Sequence, residues 1–216
     1  MAKPPALSRD GYEIQFATNQ LGHSLLTLKL LPLLLKTAAA AQAETAAKIA
    51  DTNDMGVGVR VVMVSSTGWG LAPSPAGILF DRLKTPQDMM MGRAIRYGQS
   101  KFANVLWARE LSARLGAEGI LAFSITPGVV ATSLVTDLNM AERALVYLTN
   151  IGKVQTPQEG VRNLLWAVGA PRESVKGGVF YEPVGKVSKL ETKASRDPEL
   201  GGRLWEWTQK ELKAWL

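Results

Sequence analysis

The sequence predicts an α/β protein, the later part of a doubly wound parallel sheet. Helical and strand-like segments alternate along it, two strand-like runs are apolar almost without a break, and it opens on a helix with only three strands in view. Such alternation is the pattern of parallel strands joined by right-handed helical crossovers. Three strands are fewer than the five or six usual for a sheet covered on both faces. With no linker and no internal repeat, residues 1–216 read as a single partial domain.

Each element has its own signal. Residues 10–50 are helical in pattern, with Ser8-Arg9-Asp10-Gly11 as the start. The eight leucines between Leu25 and Leu35 lie nearly all round that helix, as in a helix buried on most faces. Pro32 is expected to kink or restart it. After an Asn53-Asp54-Met55-Gly56 turn, residues 57–64 are β-branched and apolar, a strand buried on both faces. Residues 65–86, punctuated by Gly68, Gly70, Pro73, Pro75 and Gly77, form a long loop of the kind that often carries function. A strong helix covers 87–115 and stops at Gly116. A second buried strand, 120–126, breaks at Pro127-Gly128, and helices at 141–150 and 157–168, a strand at 178–181 and a helix at 198–216 follow.

Composition narrows the function. A content of 46% hydrophobic and 20% charged residues is that of a soluble globular protein. With no cysteine there is no disulfide scaffold, thiolate metal site or cysteine nucleophile, and no metal is expected. The lack of an Asn-x-Ser/Thr acceptor and of a signal-peptide core at Met1-Ala2-Lys3-Pro4-Pro5 points to a cytoplasmic setting. The net charge of +6 is scattered, without a Lys/Arg stripe interleaved with aromatics, which argues against nucleic acid and suits an anionic cofactor. Residues 21–35 carry His23, Lys29 and Pro32 and are too short for a membrane span. His23 is the only histidine, and without a Gly-x-Ser-x-Gly elbow a hydrolase triad is excluded.

The chemistry concentrates on the strand ends and the helix between them. Tyr97 and Lys101 stand four residues apart, on one helical face, where a cation favours phenolate and lowers the phenol's ordinary pKa near 10. The same spacing also describes a half-buried Tyr beside a solvated Lys. Ser65 and Ser66 follow the first strand, either able to present a hydroxyl at the crevice where open α/β sheets bind ligands. Thr126-Pro127-Gly128-Val129-Val130-Ala131-Thr132 ends the second, where Gly128 lets a ligand approach the main-chain amides.

Taken in order, Thr18-Asn19-Gln20-Leu21-Gly22-His23, Ser66 after its strand, Tyr97-x-x-x-Lys101 and Pro127-Gly128-Val129-Val130-x-Thr132 resemble the short-chain dehydrogenase/reductase family over nearly the whole chain. The closest flavour is its retinol-dehydrogenase-like and fungal reductase branch. The resemblance implies the C-terminal portion of a Rossmann-type domain that binds NAD(P) and interconverts an alcohol and a carbonyl. It implies Tyr97 as general acid/base and Lys101 as the residue that lowers its pKa and holds the nicotinamide ribose. Ser66 would polarise the substrate oxygen, and Asn19 would anchor a relay water. Pro127, Gly128, Val129 and Thr132 would form the turn on the nicotinamide. It also implies a homodimer through the leucine-rich and Tyr97 helices. The apolar content of residues 71–91 and 133–156 suggests a small apolar substrate.

The family pattern begins with a strand, a glycine-rich turn and a helix that receives the pyrophosphate. That segment, the first strands and the Asn-Asn-Ala-Gly turn are missing here, on the order of 90 residues at 25 to 30 per βα unit. Thr67-Gly68-Trp69-Gly70 leads into prolines rather than a helix. NAD and NADP are therefore not distinguished. The alternative reading is a catalytically silent remnant or interaction module.

Overall fold

A computed structural model of the chain describes residues 4–47, 58–131, 140 and 154–216. The first helix, α1 (Ile14–Phe16), is capped by Glu13, whose carboxylate accepts the Gln15 and Phe16 amides. It continues through one π-helical stretch, Ala17–Leu21, into α2 (Gly22–Ala47), which contains Pro32 without a break. β1 (Val59–Val64) leads by a short 3-10 turn, Thr67–Leu71, and a second at Phe80–Arg82, into α3 (Gly92–Leu115). β2 (Ile120–Ile125) and β3 (Val129–Val130) follow, then β4 (Val154–Gln155), α4 (Pro157–Gly169), β5 (Phe180–Glu182), β6 (Lys186–Val187) and α5 (Pro198–Leu212).

The main sheet has the order β1-β2-β5-β6, the first three parallel and β6 antiparallel. A small parallel pair, β3 with β4, stands beside it. Alternation along β1 and β2 sends Val59, Met63, Ile120 and Ala122 toward α2 and α3, and Leu121, Phe123 and Ile125 toward α4. The sheet therefore has helices on both faces, as the alternating pattern predicts. α3 holds the centre: Phe102, Val105, Leu106, Trp107 and Leu111 are all at most 1% exposed. α5 closes over it, with Trp205 stacked on Trp107 at 4.5 Å.

Several expectations need correction. β1 is not buried on both faces: only Val59 and Met63 are buried, because among the described residues the strand has a neighbour on one edge alone. α2 is not buried all round either, with Leu26 at 57%, Leu30 at 42% and Leu33 at 59% exposure. Leu28 and Ala38 face the sheet, and among the described residues the outward leucines meet no partner element. The continuous helix 14–44, with mean hydropathy 1.4 over its most apolar window and 22% of that window buried, is also long enough to cross a bilayer. The length argument made on residues 21–35 alone thus does not carry over to the folded helix. α3 starts at Gly92 rather than 87 because Gln87 and Met91 adopt left-handed backbone with φ of 51° and 57°. The helix expected at 141–150 lies outside the described residues.

Candidate active site

β1 and β2, neighbours and parallel, end at the same edge of the sheet. The register carries on past the strands, with the Ser65 amide donating to the Ile125 carbonyl at 2.7 Å. Ser66 and the Thr126-Pro127-Gly128 turn therefore emerge side by side. α3 reaches this edge with Tyr97 and Lys101 one turn apart.

Two glycines bring the phenol into place. A Cβ on Gly98 would lie 2.7 Å from the Leu71 carbonyl carbon and 2.8 Å from the Ala72 nitrogen, so only glycine lets the helix backbone press against the Thr67–Leu71 turn. A Cβ on Gly68 would stand 3.1 Å from Tyr97 Cε1. The Ser66 side chain caps this turn, accepting the Gly68 amide at 3.1 Å, and its hydroxyl lies beside the Tyr97 phenol, where it favours the phenolate. Ser65 faces the other way, fully buried, its hydroxyl donating to the Lys101 carbonyl at 2.7 Å. Of the two serines, Ser66 is the one that meets the phenol.

The electrostatics differ from the sequence expectation. Burial pushes the Tyr97 phenol above its ordinary value, and the Ser66 hydroxyl pulls it partly back. Lys101 does not lower it as folded. Its ammonium donates to the Val64 carbonyl at 3.0 Å and lies 6.0 Å from the centre of the Tyr97 ring. Burial pulls Lys101 itself down to about 8. Asn104, one turn further along α3 and fully buried, donates to the same carbonyl at 3.1 Å.

Asn19 joins the site from α2's entry. It lies in the π-helical stretch, a local widening often found at functional sites. Its side chain donates to the Ser100 hydroxyl at 2.9 Å, and Ser100 donates to the Tyr97 carbonyl at 2.8 Å. The Asn19 carbonyl lies 2.9 Å from His23 Nδ1, so the single histidine is tied to its own helix.

Gly128 takes a φ of +89°, which favours glycine, and its amide donates to the Thr126 hydroxyl at 3.1 Å. Behind the turn stands Asn163 of α4, fully buried. It donates to the Thr126 carbonyl at 2.7 Å and accepts the Gly185 amide at 3.0 Å. Gln155 of β4 presents a buried Oε1 that has no hydrogen-bond partner among the described residues, 3.0 Å from where a Gly128 Cβ would sit. Pro127 and Val129 flank the turn half-buried, and Thr132 lies outside the described residues.

Ser66 thus lies beside the Tyr97 phenol, Lys101 stands 6.0 Å from its ring, Asn19 reaches the Tyr97 backbone through Ser100, and the Pro127-Gly128-Val129 turn shares their sheet edge. The sequence reading missed Gly68, Gly98, Asn104, Gln155 and Asn163. Asn104 was traceable, since it sits three residues after Lys101 on the same helical face. Gly98 adjoins Tyr97, but a helix-interior glycine shows its purpose only once its neighbour is known.

The residues present suit one end of a dinucleotide. Gly128 packs directly on the Gln155 side chain, whose Oε1 has no hydrogen-bond partner among the described residues, and Lys101 stands at the same sheet edge. The described residues do not offer a pyrophosphate cradle. In Thr67-Gly68-Trp69-Gly70, Trp69 is 1% exposed and packs on Phe102 and Phe180, closing that turn into the core.

Helices on both faces of a parallel sheet define a doubly wound α/β protein, a class that binds ligands at the carboxyl edge where Ser66, Tyr97 and Lys101 gather. No family model matches the chain. It is 36% identical to the short-chain dehydrogenase/reductase drtF of Aspergillus calidoustus, over 99% of this chain and 65% of that protein. It is 34% identical to the short chain dehydrogenase/reductase dpmpH of Macrophomina phaseolina, over 70% of this chain and 79% of that one. Human retinol dehydrogenase 14 is 30% identical over 94% of this chain and 53% of its own length. The chain belongs to the short-chain dehydrogenase/reductase family. An uncharacterized protein from Mycobacterium paratuberculosis superposes with a TM-score of 0.63 at 27% identity, covering 99% of this chain and 63% of that one. The NADPH-bound carbonyl reductase from chicken fatty liver, at 20% identity and a TM-score of 0.52, shares the fold over 88% of this chain and 62% of its own. The chain thus spans 65% of drtF, just under two thirds.

Proposed function

We propose that this chain is the proton-handling part of an NAD(P)-dependent oxidoreductase that interconverts an alcohol and a carbonyl on a small apolar substrate. The gathering of Ser66, Tyr97 and Lys101 at the carboxyl edge of the sheet carries this reading. A carbonyl oxygen placed between the two hydroxyls would receive hydrogen bonds from both, which stabilises charge developing on it.

In reduction, Tyr97 gives its proton to that oxygen while the carbonyl carbon gains a hydride. In oxidation it takes the alcohol proton back. NAD(P), when bound, supplies or accepts the hydride. A phenol held above its ordinary value keeps its proton at neutral pH and is ready to act as an acid. Lys101, pulled down to about 8, sits close enough to neutrality to return a proton to the tyrosinate. Its release from the Val64 carbonyl would leave Asn104 still donating there. Lys101 would then hold the nicotinamide ribose, and the Pro127-Gly128-Val129 turn, with Thr132, the nicotinamide itself. Asn19 would hold the water through which Lys101 exchanges with solvent. The similarity to named dehydrogenase/reductases favours this reading over a silent remnant.

Titration of the purified chain with NADPH, followed by addition of an apolar aldehyde, tests the proposal. Carbonyl-dependent NADPH oxidation is expected, and micromolar binding beside it would sink the silent-remnant reading. Absence of both would leave the chain without the proposed activity.

A further inference from the structure

Beside the site, on the flank of α3 turned away from Lys101, lies a buried polar network that the proposed reaction does not use. Arg96 is 1% exposed and Glu13 is fully buried, and the Arg96 Nε lies 3.4 Å from Glu13 Oε1. Arg96 Nη1 donates to the Gln87 carbonyl at 2.8 Å. Gln87, 3% exposed, donates through its side chain to the Arg82 carbonyl at 3.1 Å and receives Gln99 Nε2 at 3.4 Å. Gln99 Oε1 accepts the Leu79 amide at 2.7 Å. The Glu13 amide donates to the Leu83 carbonyl at 2.8 Å, and Gln15 Nε2 reaches the Arg93 carbonyl at 3.3 Å.

These bonds join three segments distant in sequence: the entry to α1, the loop 79–91 and the first turns of α3. Two members, Arg96 and Gln99, bracket Tyr97. A buried ion pair brings little net stability compared with apolar residues of the same size, because both charges must be desolvated. What it supplies is a fixed geometry, since each charge is satisfied in one arrangement only. Gly92 fits this picture, for a Cβ there would lie 2.6 Å from Arg96 Nη1.

Resting on the function proposed above, we infer that Glu13 and Arg96 are positioning residues that set the start of α3, and through it the Tyr97 phenol, against the loop 79–91. They touch neither phenol nor ammonium and act through the helix backbone.

The test uses the full chain with its tyrosines 13Cζ-labelled, the Tyr97 signal being assigned by its loss in Tyr97→Phe. Arg96→Met and Glu13→Gln are compared with Glu110→Gln, which alters a pair with Arg114 lower on the same helix. Arg96→Met and Glu13→Gln are expected to move the Tyr97 signal and its titration, and to raise tryptic cleavage after Arg82 and Lys84 about tenfold by loosening that loop. Glu110→Gln leaves both at wild-type values. Carbonyl-dependent kcat should drop about ten- to a hundredfold in the first two, with KM for NADPH within about twofold, as expected for misplacement of a catalytic group. If Arg96→Met does not fold, Gln87→Ala, which leaves both Glu13 caps in place, and Glu13→Gln, whose single amide oxygen can keep one of the two caps on Gln15 and Phe16, carry the same expectation. An unmoved Tyr97 signal together with unchanged cleavage in the folded variants overturns the inference. A wild-type chain without turnover counts against the proposed reaction alone, because the phenol signal and the cleavage rate are read without substrate.

Discussion

α2 and α3 lie on the same face of the sheet and are similar in length, 26 and 24 residues, yet they are built differently. α3 is wrapped by β1, β2, α5 and the Thr67–Leu71 turn, and its middle is sealed from solvent. α2 packs one side on the sheet and presents Leu26, Leu30 and Leu33 outward. The more leucine-rich helix is the less buried one. Burial follows from how many neighbours an element has, and hydrophobicity in the sequence does not count neighbours. The proton-handling residues ride on the helix whose surroundings are complete within this chain.

That contrast can be broken by mutation. Leu111→Ala on α3, at a fully buried position, should cost about 2–5 kcal/mol in urea denaturation, since it leaves a cavity in a packed core. Gly98→Ala should cost about 1–3 kcal/mol, because the new methyl meets main-chain atoms of Leu71 and Ala72 that cannot yield cheaply. A cost below about 0.5 kcal/mol at either position would mean that α3 is not held as described.

A smaller effect comes from pH. Lys101 is pulled from 10.5 to about 8, so between those values the unfolded chain keeps a proton that the folded chain has shed. Its contribution to stability therefore rises with pH across that window. The Tyr97 phenol, raised from 10.0, acts in the opposite direction only above that pH. Between pH 8 and 10 the wild type should gain stability relative to Lys101→Met, read as a converging or crossing pair of urea midpoints. Parallel midpoints would show that Lys101 is not desolvated. Smallest of all, Leu33→Ser on the open side of α2 should change stability by no more than about 0.5 kcal/mol. A cost near that of Leu111→Ala would mean that the outward face of α2 is covered in solution.

The sheet and its parallel order were legible because they rest on short-range signals, as was the placing of Tyr97 and Lys101 on one helical face. Uninterrupted apolar runs mark β1 and β2, and the four-residue spacing puts Tyr97 and Lys101 on one face. Edges and partners were not legible. β1 looked buried on both faces because a β-branched run reads alike at the centre of a sheet and at its edge. The five-residue delay in the start of α3 depends on Arg96 reaching back to Gln87, a tertiary contact that local propensity does not contain. Nor could the spacing show that Lys101 would turn to the Val64 carbonyl and leave the phenol raised rather than lowered.

The most direct measurement is the rate of carbonyl-dependent NADPH oxidation by the wild-type chain and by Tyr97→Phe, with NADPH affinity measured in parallel. The account predicts turnover in the wild type, a loss of about 10²–10⁴-fold in the variant, and nearly equal affinity for NADPH in both. Turnover retained by Tyr97→Phe would contradict it.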